Sequence, residues 1–426
     1  MVTLVLFAAF FLLVFIGVPI ALSLGLSSLI TIVFTTDLSP DIIVQKAFAS
    51  LDSYPLLAIP LFILAGELMS GGGISKRLLN LANVLVGYIV GGLAMATVVA
   101  SMFFAAISGS GPATVAAIGS FMIPEMKHRH YAPGFAAAIT AAAGSLGVLI
   151  PPSIPFVMYG VVGSVSIGAM FLAGLVPGLV LGLCLLIVSY VTAKKNHYVG
   201  SGMRPTFKDV LQAINEAKLA LLIPVIILGG IYSGLFSATE SAAIAAVYAF
   251  IIGVFVYKEF TWKGLYRSIA SAALTNAATV IIIGFSISFA YLMTRERVPS
   301  VIADFITGIS DSPIMIMIIV NLFLLIVGMF IDTISAIIIL TPILLPVVTG
   351  VGIDPIHFGV ILVTNLAIGF VTPPLGVNLF VATGIGKVPF ETISKAMVPI
   401  LLSMLVALLV ITYVPPLSTY IPSLGK

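Results

Sequence analysis

Gly147-Val148-Leu149-Ile150-Pro151-Pro152-Ser153 interrupts one apolar run, and Gly369-Phe370-Val371-Thr372-Pro373-Pro374 interrupts another 222 residues later. Paired prolines withdraw amide donors and leave carbonyls unpaired, so neither run reads as one continuous helix. The same offset lays Pro124 on Pro346, Pro133 on Pro355, Gly147 on Gly369, Pro151 on Pro373 and Pro152 on Pro374 without a gap. Scarce residues that coincide at breaks, not in apolar filler, mark an internal repeat.

Composition sets the environment of that repeat. Of 426 residues, 61% are hydrophobic and 8% charged, with a mean hydropathy of +1.27. Soluble domains carry about 25% charged residues, so this chain cannot cover a water-facing surface. A soluble enzyme, a nucleic-acid binder and a disordered scaffold are excluded together. The net charge is only +3, and the single Cys184 lies within an apolar run and allows no intrachain disulfide. The fold class expected is an all-α polytopic membrane protein, with the lipid bilayer as its surroundings.

Spanning helices need about 20 apolar residues. Candidates are 1–34, 54–74, 134–161, 171–192, 219–235, 238–257, 268–293, 356–384 and 396–415. The first has no basic leader or cleavage site and is read as one retained helix. Stretches at about 93–123 and 313–349 carry polar, turn-prone centres and read as re-entrant hairpins, tolerated where protein or a cavity surrounds the broken backbone. Segments 75–92 and 295–312 mix charge with apolar residues and are expected along the interface. The domains expected are 1–195 and 238–426, each holding one hairpin and one broken helix, with 196–237 as cytoplasmic linker and connecting helix.

A cytoplasmic N-terminus places 14 basic residues inside and four outside (Lys46, Arg295, Arg297 and Lys426), as the positive-inside rule predicts. In that frame the first hairpin's loop faces the cytoplasmic Lys127-His128-Arg129-His130 cluster, and the second opens towards the outer Gly352-Ile353-Asp354-Pro355. An offset that changes sides means inverted-topology repeats, the architecture of secondary transporters that bind at midplane breaks.

The hairpin tips carry the chemistry. Ser108-Gly109-Ser110-Gly111-Pro112 combines permissive glycines, two hydroxyls and a proline suited to a first helical turn. Beside the first break it offers neutral oxygens, suited to unhydrated Na⁺ and lacking the titratable group a proton needs. The second tip, Phe330-Ile331-Asp332-Thr333-Ile334-Ser335, puts Asp332 where the first has Ser110. A carboxylate at membrane depth costs several kcal/mol unless paired, so Asp332 is a candidate for cation or substrate binding. Ser145, Ser153, Thr333, Ser335, Asn365 and Asn378 lie on or beside the breaks, where half-helix N-termini favour an anion. Glu67, near the cytoplasmic end of its run, reads as a packing or partner contact, and Trp262 as an interface anchor. The four histidines match no metal-ligand spacing, and Gly386-Lys387 is followed by Val388, so no phosphate-binding loop is present. The chain reads as a non-enzyme without cofactor, its metal chemistry confined to sodium.

These residues resemble a known family. Leu64-Ala65-Gly66-Glu67-Leu68-Met69, the first tip extended to Ala113-Thr114, Leu149-Ile150-Pro151-Pro152-Ser153 and Thr372-Pro373-Pro374-Leu375-Gly376-Val377-Asn378 are similar to the large membrane subunit of tripartite ATP-independent periplasmic (TRAP) transporters, over nearly the whole length. The resemblance implies an inner-membrane importer of organic acids driven by Na⁺. It also implies a separate small four-helix membrane subunit, a periplasmic substrate-binding protein and an elevator-type fold. Carried over by motif, one sodium falls at Ser108, Gly109 and Ser110 with Gly147, Val148 and Pro151. A second falls at Asp332 and Thr333 with Gly369 and Thr372. Substrate sits between the tips, within reach of Asp332, Ser335, Ser145, Ser153, Asn365 and Asn378. The sialic-acid branch is the favoured match, with C4-dicarboxylate next. The alternative is an autonomous Na⁺/carboxylate carrier that needs no binding protein.

Overall fold

The computed structural model describes residues 2–200, 202, 204–309 and 312–424, and among them it is helical throughout, with no strand. The first run does not form one helix. It folds as α1 (Val2–Phe15) and α2 (Ile20–Thr35). Gly17 at φ +88° ends α1, its amide donating to Val14 and that of Val18 to Leu13, and Pro19 then prevents any continuation. The two helices lie side by side. Phe10 packs on Phe289, while a β-carbon on Gly25 would touch Phe285, one turn away on the same helix. Collinear helices would hold residues 10 and 25 about 22 Å apart. Keeping 35–53 outside therefore places the N-terminal end outside as well, correcting the cytoplasmic N-terminus expected above. Lys426 lies outside the described residues.

Next come α3 (Asp41–Leu51), a short helix not expected from sequence, and α4 (Ala58–Gly71). The amphipathic α5 (Ile74–Val86) follows. The first hairpin is α6 (Gly92–Ser108) and α7 (Gly111–His128), and the first broken helix is α8 (Pro133–Gly144) and α9 (Ile154–Val162). α10 (Ile167–Lys195) closes this half. α11 (Phe207–Tyr232) begins well before residue 219, so the polar linker is shorter than expected. Thr206 and Asp209 form a reciprocal cap there, and Gln212–Glu216 and Lys218–Asn215 hydrogen bonds carry the polar turns as helix.

The second half runs α12 (Ala238–Ile251), α13 (Trp262–Arg295), α14 (Val298–Ile309) and the hairpin α15 (Pro313–Phe330) and α16 (Thr333–Gly350). Then come the broken helix α17 (Pro355–Gly369) and α18 (Val377–Gly386), α19 (Phe390–Tyr413) and α20 (Pro416–Ser423). Shifted by 222, both hairpin helices and α8 start within one residue of their counterparts α15, α16 and α17. Both Pro151-Pro152 and Pro373-Pro374 are cis. Eight helices among the described residues are long and apolar enough to cross a membrane.

Two bundles result. Helices α1 to α4 pack with α12 and α13, and α11 lies on α12. Hairpins and broken helices form the other bundle, where α6, α7 and α19 surround α8 while α15 and α16 lie on α17. α8 is Ala- and Gly-rich, and every residue from Gly134 to Gly144 is buried, because small side chains let four helices approach closely. α5 and α14 touch both bundles. The two halves meet at Tyr159, whose hydroxyl donates to the Pro355 carbonyl at 2.6 Å. Tyr159→Phe should lower stability by about 1 kcal/mol, and an unchanged melting temperature in detergent would show that this bond contributes nothing.

Candidate functional site

The first tip is built by turn chemistry. Gly109, at φ +63°, ends α6 in the left-handed region, and Pro112 lies in the first turn of α7. Ser108 Oγ and Thr114 Oγ1 share a hydrogen bond at 2.9 Å, and Thr114 donates to the Ser110 carbonyl at 2.8 Å. The first break comes against this tip. Ile154 N–H donates to the Gly109 carbonyl at 3.3 Å, and a β-carbon on Gly147 would lie 2.5 Å from both the Ser110 carbonyl oxygen and Thr114 Oγ1. Ser108, Gly109, Ser110 and Gly147 are thus brought together. Thr114, which sequence reasoning quoted but did not assign, joins them.

The hydroxyl of Ser153 is committed to folding the break. It donates to the Val148 carbonyl and accepts from Phe156 N–H as the cap of α9, so it has no donor left for a substrate. Pro151 is buried in the same turn.

Asp332 caps α16, its Oδ1 accepting from Ile334 and Ser335 amides at 3.0 and 3.1 Å. Thr333 Oγ1 and Ser335 Oγ are buried without a partner. Thr372 donates to the Ile368 carbonyl at 2.8 Å. Here the halves differ. Gly369 packs on Gly328, one turn before the tip, so closely that a β-carbon would overlap the Gly328 carbonyl. Among the described residues no hydrogen bond joins 330–335 to 369–378, so Asp332 and Thr333 are not bonded to Gly369 or Thr372.

Two asparagines bring further polar atoms to the breaks. Asn378 reaches across the repeats, its amide donating to the Ala141 carbonyl at 3.1 Å and to Ser145 Oγ at 3.4 Å. Its Oδ1 is buried without a partner, 3.3 Å from where a β-carbon on Gly111 would lie. Asn365 donates to Asn321 Oδ1 and to the Ile361 carbonyl, both at 2.8 Å, and its own Oδ1 has no partner. Asn321 in turn donates to Thr412 at 3.1 Å. Sequence reasoning missed Asn321, although a lone amide within the apolar α15 was the signal. Unpartnered buried oxygens cost about 1–3 kcal/mol each, and sites collect them for a ligand to satisfy.

A family model described as "Tripartite ATP-independent periplasmic transporter, DctM component" matches residues 7–417. The chain belongs to this family. It is 51% identical over 416 residues to the isethionate TRAP transporter permease protein DctMQ of Oleidesulfovibrio alaskensis, covering 98% of this chain and 66% of that protein. The C4-dicarboxylate TRAP transporter large permease protein DctM of Vibrio cholerae is 42% identical, with 96% of this chain and 95% of that one covered. The sialic acid large permease SiaM of the same organism is 37% identical, at 97% and 96% coverage. Among solved structures, the Alcanivorax borkumensis YdaH transporter superposes with a TM-score of 0.63 at 13% identity, covering 91% of this chain and 90% of that one. Neisseria gonorrhoeae MtrF superposes at 0.59 and 14%, covering 87% and 83%. The DctM-family chain is a multi-pass protein of the bacterial inner membrane and a large permease of the TRAP class. Such a permease works with a small membrane subunit and a substrate-binding protein.

Proposed function

We propose that the chain is the translocating subunit of a sodium-coupled importer for a small organic anion, with the hairpin bundle moving past α1 to α4 and α11 to α13 as an elevator. The observation that carries this reading is the first hairpin tip bonded to its chain break, together with the one carboxylate that caps the second tip. Asp332 is the only acid at either tip or break, and no cluster of three His, Cys, Asp or Glu exists among the described residues to hold a multivalent metal. Carbonyls at broken helices suit Na⁺, and helix N-termini suit an anion. Ser108, Gly109, Ser110, Gly147, Val148 and Pro151 hold one ion. A second ion at Asp332, Thr333, Gly369 and Thr372 draws the second tip onto its break. The starts of α7 and α16 then face an anion held by Asn378, Ser145, Ser335 and Asn365. Two sodium ions with a monovalent anion carry one net positive charge inward, so the membrane potential adds about 2.3 kcal/mol per 100 mV.

Relatives named for isethionate, C4-dicarboxylates and sialic acid stand at 51, 42 and 37% identity. We therefore add a small sulfonate to the anions to be tested, beside the sialic acid favoured by the resemblance and the C4-dicarboxylate next to it. The binding protein is what delivers it. The test uses proteoliposomes holding this chain and its small membrane subunit, with the cognate binding protein added, and follows labelled isethionate, succinate and sialic acid under an inward Na⁺ gradient. Uptake of one anion that vanishes with K⁺ replacing Na⁺, and again without the binding protein, is expected. Uptake by this chain without the binding protein would establish the autonomous carrier instead.

A further inference from the structure

One stripe of α4 faces outward from its bundle. Pro60, Leu61 and Leu64 there and Leu57 just before the helix, with Ile269, Ala272, Ala273 and Asn276 of α13, line an open groove of about 490 Å³. One turn beyond Leu64 lies the half-buried Glu67. Its Oε1 accepts from Ser271 Oγ at 3.1 Å, and no cation lies within ion-pair distance among the described residues, the exposed Arg267 included. At the groove wall Asn276 donates to the Pro60 carbonyl at 3.3 Å, which leaves Asn276 Oδ1 buried with no partner.

Lipid satisfies neither group. Hydrocarbon supplies no donor to a buried amide oxygen, and a carboxylate within a spanning segment stays without a countercharge. α11 differs, since its exposed polar residues Gln212, Asn215, Glu216 and Lys218 lie in the opening turns, and past them it exposes the apolar Leu222 and Val225. Ala273, exposed beside the buried Ala272, lets another helix backbone approach closely, as membrane helix pairs require. We infer that the α4–α13 groove seats a transmembrane helix of the small membrane subunit. That helix places a basic or amide side chain against Glu67 near its cytoplasmic end. The inference rests on the tripartite assembly and adds the surface on which it forms.

The test co-expresses the full chain with its small subunit and places a photo-crosslinking residue at Leu64, Ala273 or, on the far side of the hairpin bundle, at Leu402. Cross-links to the small subunit are expected from 64 and 273, at least tenfold above those from 402. Glu67→Gln, which keeps the hydrogen-bond acceptor and removes the charge, should reduce co-purified small subunit about fivefold. Adducts from 64 and 273 only with lipid, or with a second copy of this chain, would overturn the assignment. A small subunit that co-purifies equally with Glu67→Gln would remove Glu67 from it. Failure of the small subunit to co-purify even with the unaltered chain would instead refute the tripartite reading.

Discussion

Asp332→Asn is expected to cut sodium-driven uptake at least 100-fold while leaving the protein folded. Asparagine caps helices about as well as aspartate, so the bonds from the Ile334 and Ser335 amides, now 3.0 and 3.1 Å, survive the change. What disappears is the only negative charge at either tip. A 100-fold loss corresponds to about 2.7 kcal/mol, within the range for a charged ligand withdrawn from a partly buried cation. Asp332→Ala removes the cap as well and should cost about 1 kcal/mol of stability in addition. Sodium titration of uptake, set beside thermal melting, separates the two effects. Full Na⁺-dependent uptake by Asp332→Asn would end the assignment of the second ion.

Gly147→Ala should be nearly as damaging, for a steric reason. The added carbon would meet the Ser110 carbonyl oxygen and Thr114 Oγ1 at 2.5 Å, and the Ser110 carbonyl carbon at 2.8 Å. Two of those atoms are backbone and cannot rotate aside, so the tip must leave the break. Overpacking of this kind costs about 1–3 kcal/mol. Uptake should fall roughly 10- to 100-fold by the same conversion, with a raised half-saturating Na⁺ concentration. Gly384→Ala provides the contrast, because nothing lies within 4 Å of a β-carbon there. It should leave uptake intact. An unaltered sodium dependence in Gly147→Ala would separate the first tip from ion binding.

The parts of the site that could be read along the chain are those made by local backbone chemistry. Gly109 needed a left-handed residue, Pro112 and Asp332 opened helices, and the prolines after Gly147 and Gly369 stopped them. Each effect acts within a few residues. Contacts across the fold were not legible. Ser153 reads equally as ligand or cap until Val148 is seen beside it, and Asn378 touches Ser145 only because α8 and α18 pack together. The fold of α1 on α2 depended on whether Gly17 ended a helix or merely bent it, and hydropathy is the same in both cases.

The sequence by itself determined a polytopic helical membrane protein, the repeat offset, the two hairpins, the two breaks and the family, because hydropathy, glycine and proline act locally and leave their mark in order along the chain. Tertiary structure alone decided that the first tip is bonded to its break while the second is not, that Gly369 meets Gly328, and which oxygens stay unpaired. Those outcomes depend on helix packing at sub-ångström fit, where one β-carbon more or less decides whether two backbones can touch.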